Sequence, residues 1–153
     1  MTTSDPSAAA TYLRTRVMTA RPEELRMMLL DGALRFARQG REGLERRDYE
    51  ASFTGLSQCQ DIVMELATSV RADQDRALAE RVRGLYLYMY QELVQASVER
   101  DIDRVDGVIR LLEYERETWA MLLAKLAAER SGQAAHKAEA AVEAAARSIS
   151  LSA

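Results

Sequence analysis

Two pairs of closely spaced carboxylates, Glu23 with Glu24 and Asp101 with Asp103, are the residues in this chain whose types and spacing could support acid/base chemistry. Each pair stands where a helix is expected to begin, and there carboxylates are favoured by the positive end of the helix dipole without any catalytic duty. His136 is the only histidine and lies in an alanine-rich tail, so neither a Glu-x-x-His di-iron set nor a Ser-His or Cys-His nucleophile can be assembled in the packed part of the chain. Cys59 is the only cysteine, which excludes an internal disulfide and reads as a small buried thiol. The glycines fall inside expected helices and not between a strand and a helix, so no phosphate-cradling loop is present. The residues therefore point away from catalysis, metals and cofactors, and towards binding.

The elements that would carry such binding are helices. Hydrophobic residues make up 48% of the 153 positions and charged residues 29%, as in a soluble globular chain of one domain. No apolar run approaches the roughly 20 residues that cross a bilayer. The polar start, Met1 to Ser7, lacks a secretory signal, and a cytoplasmic location follows as the expectation. A net charge of −3, with basic and acidic residues interleaved, gives nucleic acid no broad attraction.

Pro22 followed by Glu23 and Glu24 predicts a first long helix to about Arg46. Leu25, Met28, Leu29, Gly32, Phe36 and Leu44 share one face, and Met27, Leu30 and Leu34 form a second row. Gly32 is the expected point of close helix approach, and Thr19 the stand-in cap, because Arg21 cannot cap. Asp48 caps a second helix through Phe53, Leu56, Cys59, Gln60, Val63, Leu66, Ala67 and Val70. A turn over 69–75 leads to a third helix from about Arg76 to Arg100. A fourth, capped by Asp101 or Asp103, runs to about Arg130 with only Glu115 and Arg116 interrupting its apolar face. Short links between long amphipathic helices predict an all-α, antiparallel, up-down-up-down four-helix bundle over 18–130, with an N-terminal arm over 1–17 and an alanine-rich C-terminal tail over 131–153 that is frayed or detached.

The third helix carries two apolar stripes. Val82, Leu85, Tyr86, Met89, Leu93 and Ala96 form the core-facing one. Leu87, Tyr90, Val94 and Val98 recur at the same three/four spacing on a stripe turned roughly 135° away. Either a neighbouring helix covers it or it is a groove for another chain. Tyr12 and Val17 on the arm also need covering, and the arm is expected to lie over this groove. A helix-turn-helix DNA reader or other helical regulator is the competing class, because Arg35, Arg38, Arg41, Arg46 and Arg47 concentrate late in the first long helix; these long helices lack a short turn before a recognition helix.

Thr19, Ala20, Pro22, Glu23, Glu24 and Leu25, then Met28, Leu29, Asp31, Gly32 and Ala33, resemble the helix start of the FliS family of flagellin-specific export chaperones. Leu85, Tyr86, Tyr88 and Met89, followed by Leu93, Ala96 and Asp101, resemble that family's Leu-Tyr-Asp-Tyr-Met helix and its exit. The likeness runs from Tyr12 to Leu123, with Arg21, Leu87 and Glu115 as departures. The resemblance implies a non-enzymatic cytosolic chaperone without cofactors, a monomer or weak homodimer. Such a protein would bind the disordered C-terminal segment of flagellin, hold it from premature polymerisation and help deliver it to the flagellar export gate. Tyr12, Val17, Leu87, Tyr90, Val94 and Val98 are the candidate groove residues for that partner, with no role for nucleic acid or membrane insertion.

Overall fold

The computed structural model describes residues 6–71 and 75–151, and all of its regular structure is helical: α1 (Pro6–Thr19), α2 (Pro22–Glu45), α3 (Tyr49–Thr68), α4 (Arg76–Glu99) and α5 (Ile102–Leu151). The turn expected over 69–75 falls partly on Ala72 to Gln74, which lie outside the described residues, as do Met1 to Asp5 and the last two residues of the tail. The chain forms two compact units, residues 1–117 and residues 118–153.

In the first unit, α2, α3, α4 and the opening turns of α5 form the four-helix bundle. Short polar caps punctuate it. Asp48 accepts the Ala51 N–H at the start of α3, Asp75 accepts the Leu78 N–H at the start of α4, and Asp101 accepts from the backbone of Asp103 and Arg104 at the start of α5. At α2 the cap position belongs to Arg21, whose side chain makes no cap; Glu24 reaches back to the Arg21 N–H at 3.3 Å. Thr19 does not stand in, because its hydroxyl donates back to the Thr15 carbonyl of α1 at 2.8 Å.

The core draws Leu30 and Leu34 from α2, Leu56, Val63 and Leu66 from α3, Tyr86, Met89 and Leu93 from α4, and Val105, Val108 and Leu112 from α5. Each large side chain so buried contributes about 1.5–3 kcal/mol relative to exposure. The face α2 turns inward is the row of Leu30, Ala33, Leu34, Ala37, Gly40, Gly43 and Leu44, while Leu25, Met28, Leu29 and Phe36 are only half-buried. Small residues decide this, because they let α3 come closer than large ones would. A Cβ on Gly43 would stand 2.5 Å from the Ser52 nitrogen and one on Gly55 2.6 Å from the Gly40 nitrogen, whereas one on Gly32 would meet Ile62 Cδ1 at 3.3 Å. The tight crossing is thus at Gly40, Gly43 and Gly55, not at Gly32. Phe53, expected in the core of α3, is 64% exposed.

Polar seams hold α5 against its neighbours. Arg38 pairs with Glu113 at 2.8 Å, Arg41 with Asp106 and Arg116 with Asp31, all between α2 and α5. Arg104 of α5 pairs with Glu92 of α4 at 3.0 Å. Glu115 and Arg116, which break the apolar pattern, are occupied at the two seams: Arg116 by Asp31 of α2, and Glu115 by the Tyr86 hydroxyl of α4.

The arm is helical, and every described side chain from Ser7 to Thr19 is exposed. Tyr12 and Val17 are thus left uncovered, against the expectation that the arm lies over the groove. In the second unit α5 continues through Ser131 and Gly132 to Leu151, with Trp119, Leu123 and Leu126 half-buried and its later turns exposed. The alanine content sustains it, since one glycine costs about 1 kcal/mol against many residues of the highest helix propensity.

Candidate functional site

The core-facing stripe on α4 is filled as its spacing predicts: Tyr86, Met89, Leu93 and Ala96 are buried, with Val82 and Leu85 half-buried. Tyr86 is the largest side chain in the core, and its hydroxyl needs a partner there. It donates to Glu115 Oε2 at 2.8 Å, while the Arg26 guanidinium sits 5.7 Å from the ring centroid. Burial raises the Tyr86 phenol well above its ordinary value; Arg26 opposes the rise and Glu115 adds to it. Tyr88 is exposed and Tyr90 half-buried, so the three alternate tyrosines have separate fates.

The second stripe remains open. Leu87, Val94 and Val98 are exposed, Val98 at 74% and Val94 at 37%, and Tyr90 is half-buried beside them. Glu92, held by Arg104, marks the side of α4 that faces α5, and Val94 lies about 160° round the helix from it. Leu87, Tyr90, Val94 and Val98 therefore share one flank of one helix. Tyr12, 66% exposed, and Val17 lie on α1, about 140° apart around that helix, so they do not share a face with each other.

A second concavity of about 280 Å3 lies between α4 and α5, lined by Tyr88, Glu92, Arg104, Val108 and Leu111 among others. Its polar wall is an ion-pair network, with Arg104 facing Glu92, Glu99 and Asp101 at 3.0, 3.5 and 3.3 Å. These carboxylates, Glu92 first, raise the Arg104 pKa. That network closes the α4/α5 turn. Among the described residues no group of three or more His, Cys, Asp or Glu is placed to hold a metal ion, and no helix is long and apolar enough to cross a membrane.

Two of the arginines late in α2, Arg38 and Arg41, are seam residues. Arg38 and Arg41 face α5 carboxylates, Arg46 pairs with Glu42 at 3.5 Å, and Arg35 lies over the Phe36 ring at 5.0 Å. Four of the five arginines are thus engaged with a carboxylate or a ring. Cys59 is fully buried, and burial pushes its thiol up to about 12, so it acts as a small apolar side chain.

Residues 5–126 match the family model described as flagellar protein FliS. The chain is 30% identical to the flagellar secretion chaperone FliS of Bacillus subtilis over 79% of this chain and 90% of that protein. It is also 30% identical to the flagellar secretion chaperone FliS of Salmonella typhimurium over 80% of this chain and 92% of that one. A crystal structure described as a flagellar chaperone from bacteria shares the fold at a TM-score of 0.64 and 19% identity, across 80% of this chain and 99% of the other. An all-helical bundle bearing an exposed apolar stripe meets here with sequence likeness along most of its length: the chain belongs to the FliS family of flagellar secretion chaperones.

Proposed function

We propose that this chain binds the disordered C-terminal segment of flagellin in the cytoplasm, as a monomer or weak homodimer. In this way it keeps the segment from polymerising and helps bring it to the flagellar export gate. The observation that carries the reading is the open stripe of Leu87, Tyr90, Val94 and Val98 on a helix whose other face is already packed. A disordered segment that folds on binding lays an amphipathic helix into such a surface, and the apolar area it buries must exceed the cost of ordering it. Tyr12 and Val17 belong to the same reading as contacts from α1. No catalytic step, metal or nucleotide enters it.

Calorimetric titration with a C-terminal flagellin peptide tests the proposal. Binding at micromolar concentration is expected, and Val94→Asp weakens it at least tenfold with helix content and melting temperature nearly unchanged. Absence of heat with the unmodified chain overturns the reading. An unfolded Val94→Asp variant would show the stripe to be core, because a buried unpaired charge is strongly destabilising.

A further inference from the structure

The stripe on α4 is one wall of a channel whose other wall is α3. Gly55 and Ile62 mark the side of α3 that faces α2, through the Gly40 backbone and Gly32. Phe53 lies about 160° round α3 from Gly55 and about 180° from Ile62, on the flank away from α2. Val94 lies on the flank of α4 away from α5. α3 and α4 pack against each other. Their antiparallel register is fixed at one end by the Arg100 guanidinium, 3.6 Å from the Tyr49 ring centroid, and at the other by Arg83 donating to the Val70 carbonyl at 3.2 Å. This register brings Phe53 level with Val98, Ser57 with Val94 and Met64 with Leu87, to within about one turn.

The channel is long enough for a short helix. Leu87 and Val98 are separated by about 17 Å of helix rise, or three turns. Its outer rim on α3 carries the exposed carboxylates of Glu50 and Asp61, about 60° and 80° round the helix from Phe53. The cations at the channel's α4 wall are Arg76, which pairs with Glu80 at 3.7 Å, Arg83, which is turned in to Val70, and Arg100 at the helix end, which lies over the Tyr49 ring. An apolar floor with an acidic rim is complementary to an amphipathic helix whose apolar row is flanked by lysine or arginine.

We infer that the channel between α3 and α4 takes one such basic-flanked amphipathic helix, with Phe53 as the principal specificity contact and the α3 carboxylates selecting its charge. The inference rests on the reading that the α4 stripe binds the flagellin segment, and it names which kind of helix within that segment docks there. Phe53 is exposed, so Phe53→Ala leaves the fold intact while removing the most exposed ring at the channel.

Two titrations of the full chain test this. In the first, the C-terminal flagellin peptide is added to the unmodified chain, Val94→Asp, Phe53→Ala and the Glu50→Lys/Asp61→Lys double variant, at low and high salt. Phe53→Ala is expected to weaken binding about tenfold, and the double variant several-fold with loss of the salt dependence. If Val94→Asp weakens binding while Phe53→Ala and the charge reversal leave it unchanged, the channel is wrong and the α4 stripe stands. In the second, model peptides with leucine at helical spacing and either lysine or glutamate between are compared directly. Preference for the lysine peptide that the Glu50→Lys/Asp61→Lys double variant removes supports the inference, with Phe53→Ala weakening both peptides. Equal or reversed preference, or a preference that the double variant leaves intact, overturns it even where flagellin binds.

Discussion

Tyr86 Oη donates to Glu115 Oε2 at 2.8 Å across the α4/α5 seam, which joins the largest core side chain to a carboxylate that interrupts the apolar face of α5. A hydrogen bond to a charged group contributes about 1.5–3 kcal/mol. Tyr86→Phe, which keeps the ring and removes the donor, is expected to lower stability by about 1.5 kcal/mol in urea unfolding. Glu115→Gln, which keeps an acceptor, should cost less.

The same buried groups set the alkaline limit of the fold. Tyr86 and Cys59 both hold their protons to higher pH in the folded chain than in the unfolded one, chiefly because burial penalises their charged forms. The unfolded chain therefore loses protons first, and stability, full below the ordinary thiol value, falls as pH rises through it towards about 12. Melting temperature followed upward from neutral pH should begin to fall near the ordinary thiol value. In Cys59→Ala the fall should begin about one unit later, where ordinary tyrosines titrate.

Glycines at the two kinds of site should respond with opposite signs. Gly43→Ala and Gly55→Ala place a methyl group on neighbouring backbone and are expected to destabilise by about 1–3 kcal/mol. Gly84 is exposed in the interior of α4 with nothing within 4 Å of an added Cβ. Gly84→Ala should therefore gain up to about 1 kcal/mol from helix propensity. Thermal melts of the three variants check the sign.

Two arginines hold the left-handed conformation that glycine adopts without steric cost, Arg47 and Arg100, both at φ 58°. Arg47→Gly should raise stability by up to about 1 kcal/mol. Arg100→Gly should gain less, because it also removes the guanidinium from the Tyr49 ring. Chemical denaturation of each variant gives the comparison.

Removal of residues 1–19 should leave the bundle's stability unchanged within about 0.5 kcal/mol, since the described side chains of α1 are all exposed. Flagellin-peptide affinity should fall if Tyr12 and Val17 supply contacts, and tighten if α1 instead competes for the channel. A calorimetric titration of the truncated chain distinguishes the two.

The helices themselves were legible because their signals are local. Asp48 and Asp101 cap where their types and positions require, and the three/four spacing of Tyr86, Met89, Leu93 and Ala96 identified the buried side of α4. Relationships between helices were harder to read. Counting large side chains favoured Leu25, Met28 and Phe36 as the inner face of α2, but the approach of α3 is set by what Ala33, Ala37, Gly40 and Gly43 lack. Glu115 looked like an interruption because its partner lies 29 positions away on another helix. Phe53 fits the apolar period of α3, and only the register against α4 shows that it stands at the helix edge. On α1, alanines sustain a helix without an apolar period to announce it.

The crossing at Gly40, Gly43 and Gly55 also bears on how inherited variants of this chain would look in a living cell. An added methyl there acts on the fraction of unfolded molecules open to proteases, and about 1–2 kcal/mol is enough to change steady-state abundance several-fold. A swimming defect from such a variant would reflect a shortage of protein with intact affinity, and raising its expression should restore motility. A defect from Val94→Asp should persist at any dose that leaves the protein short of its weakened dissociation constant.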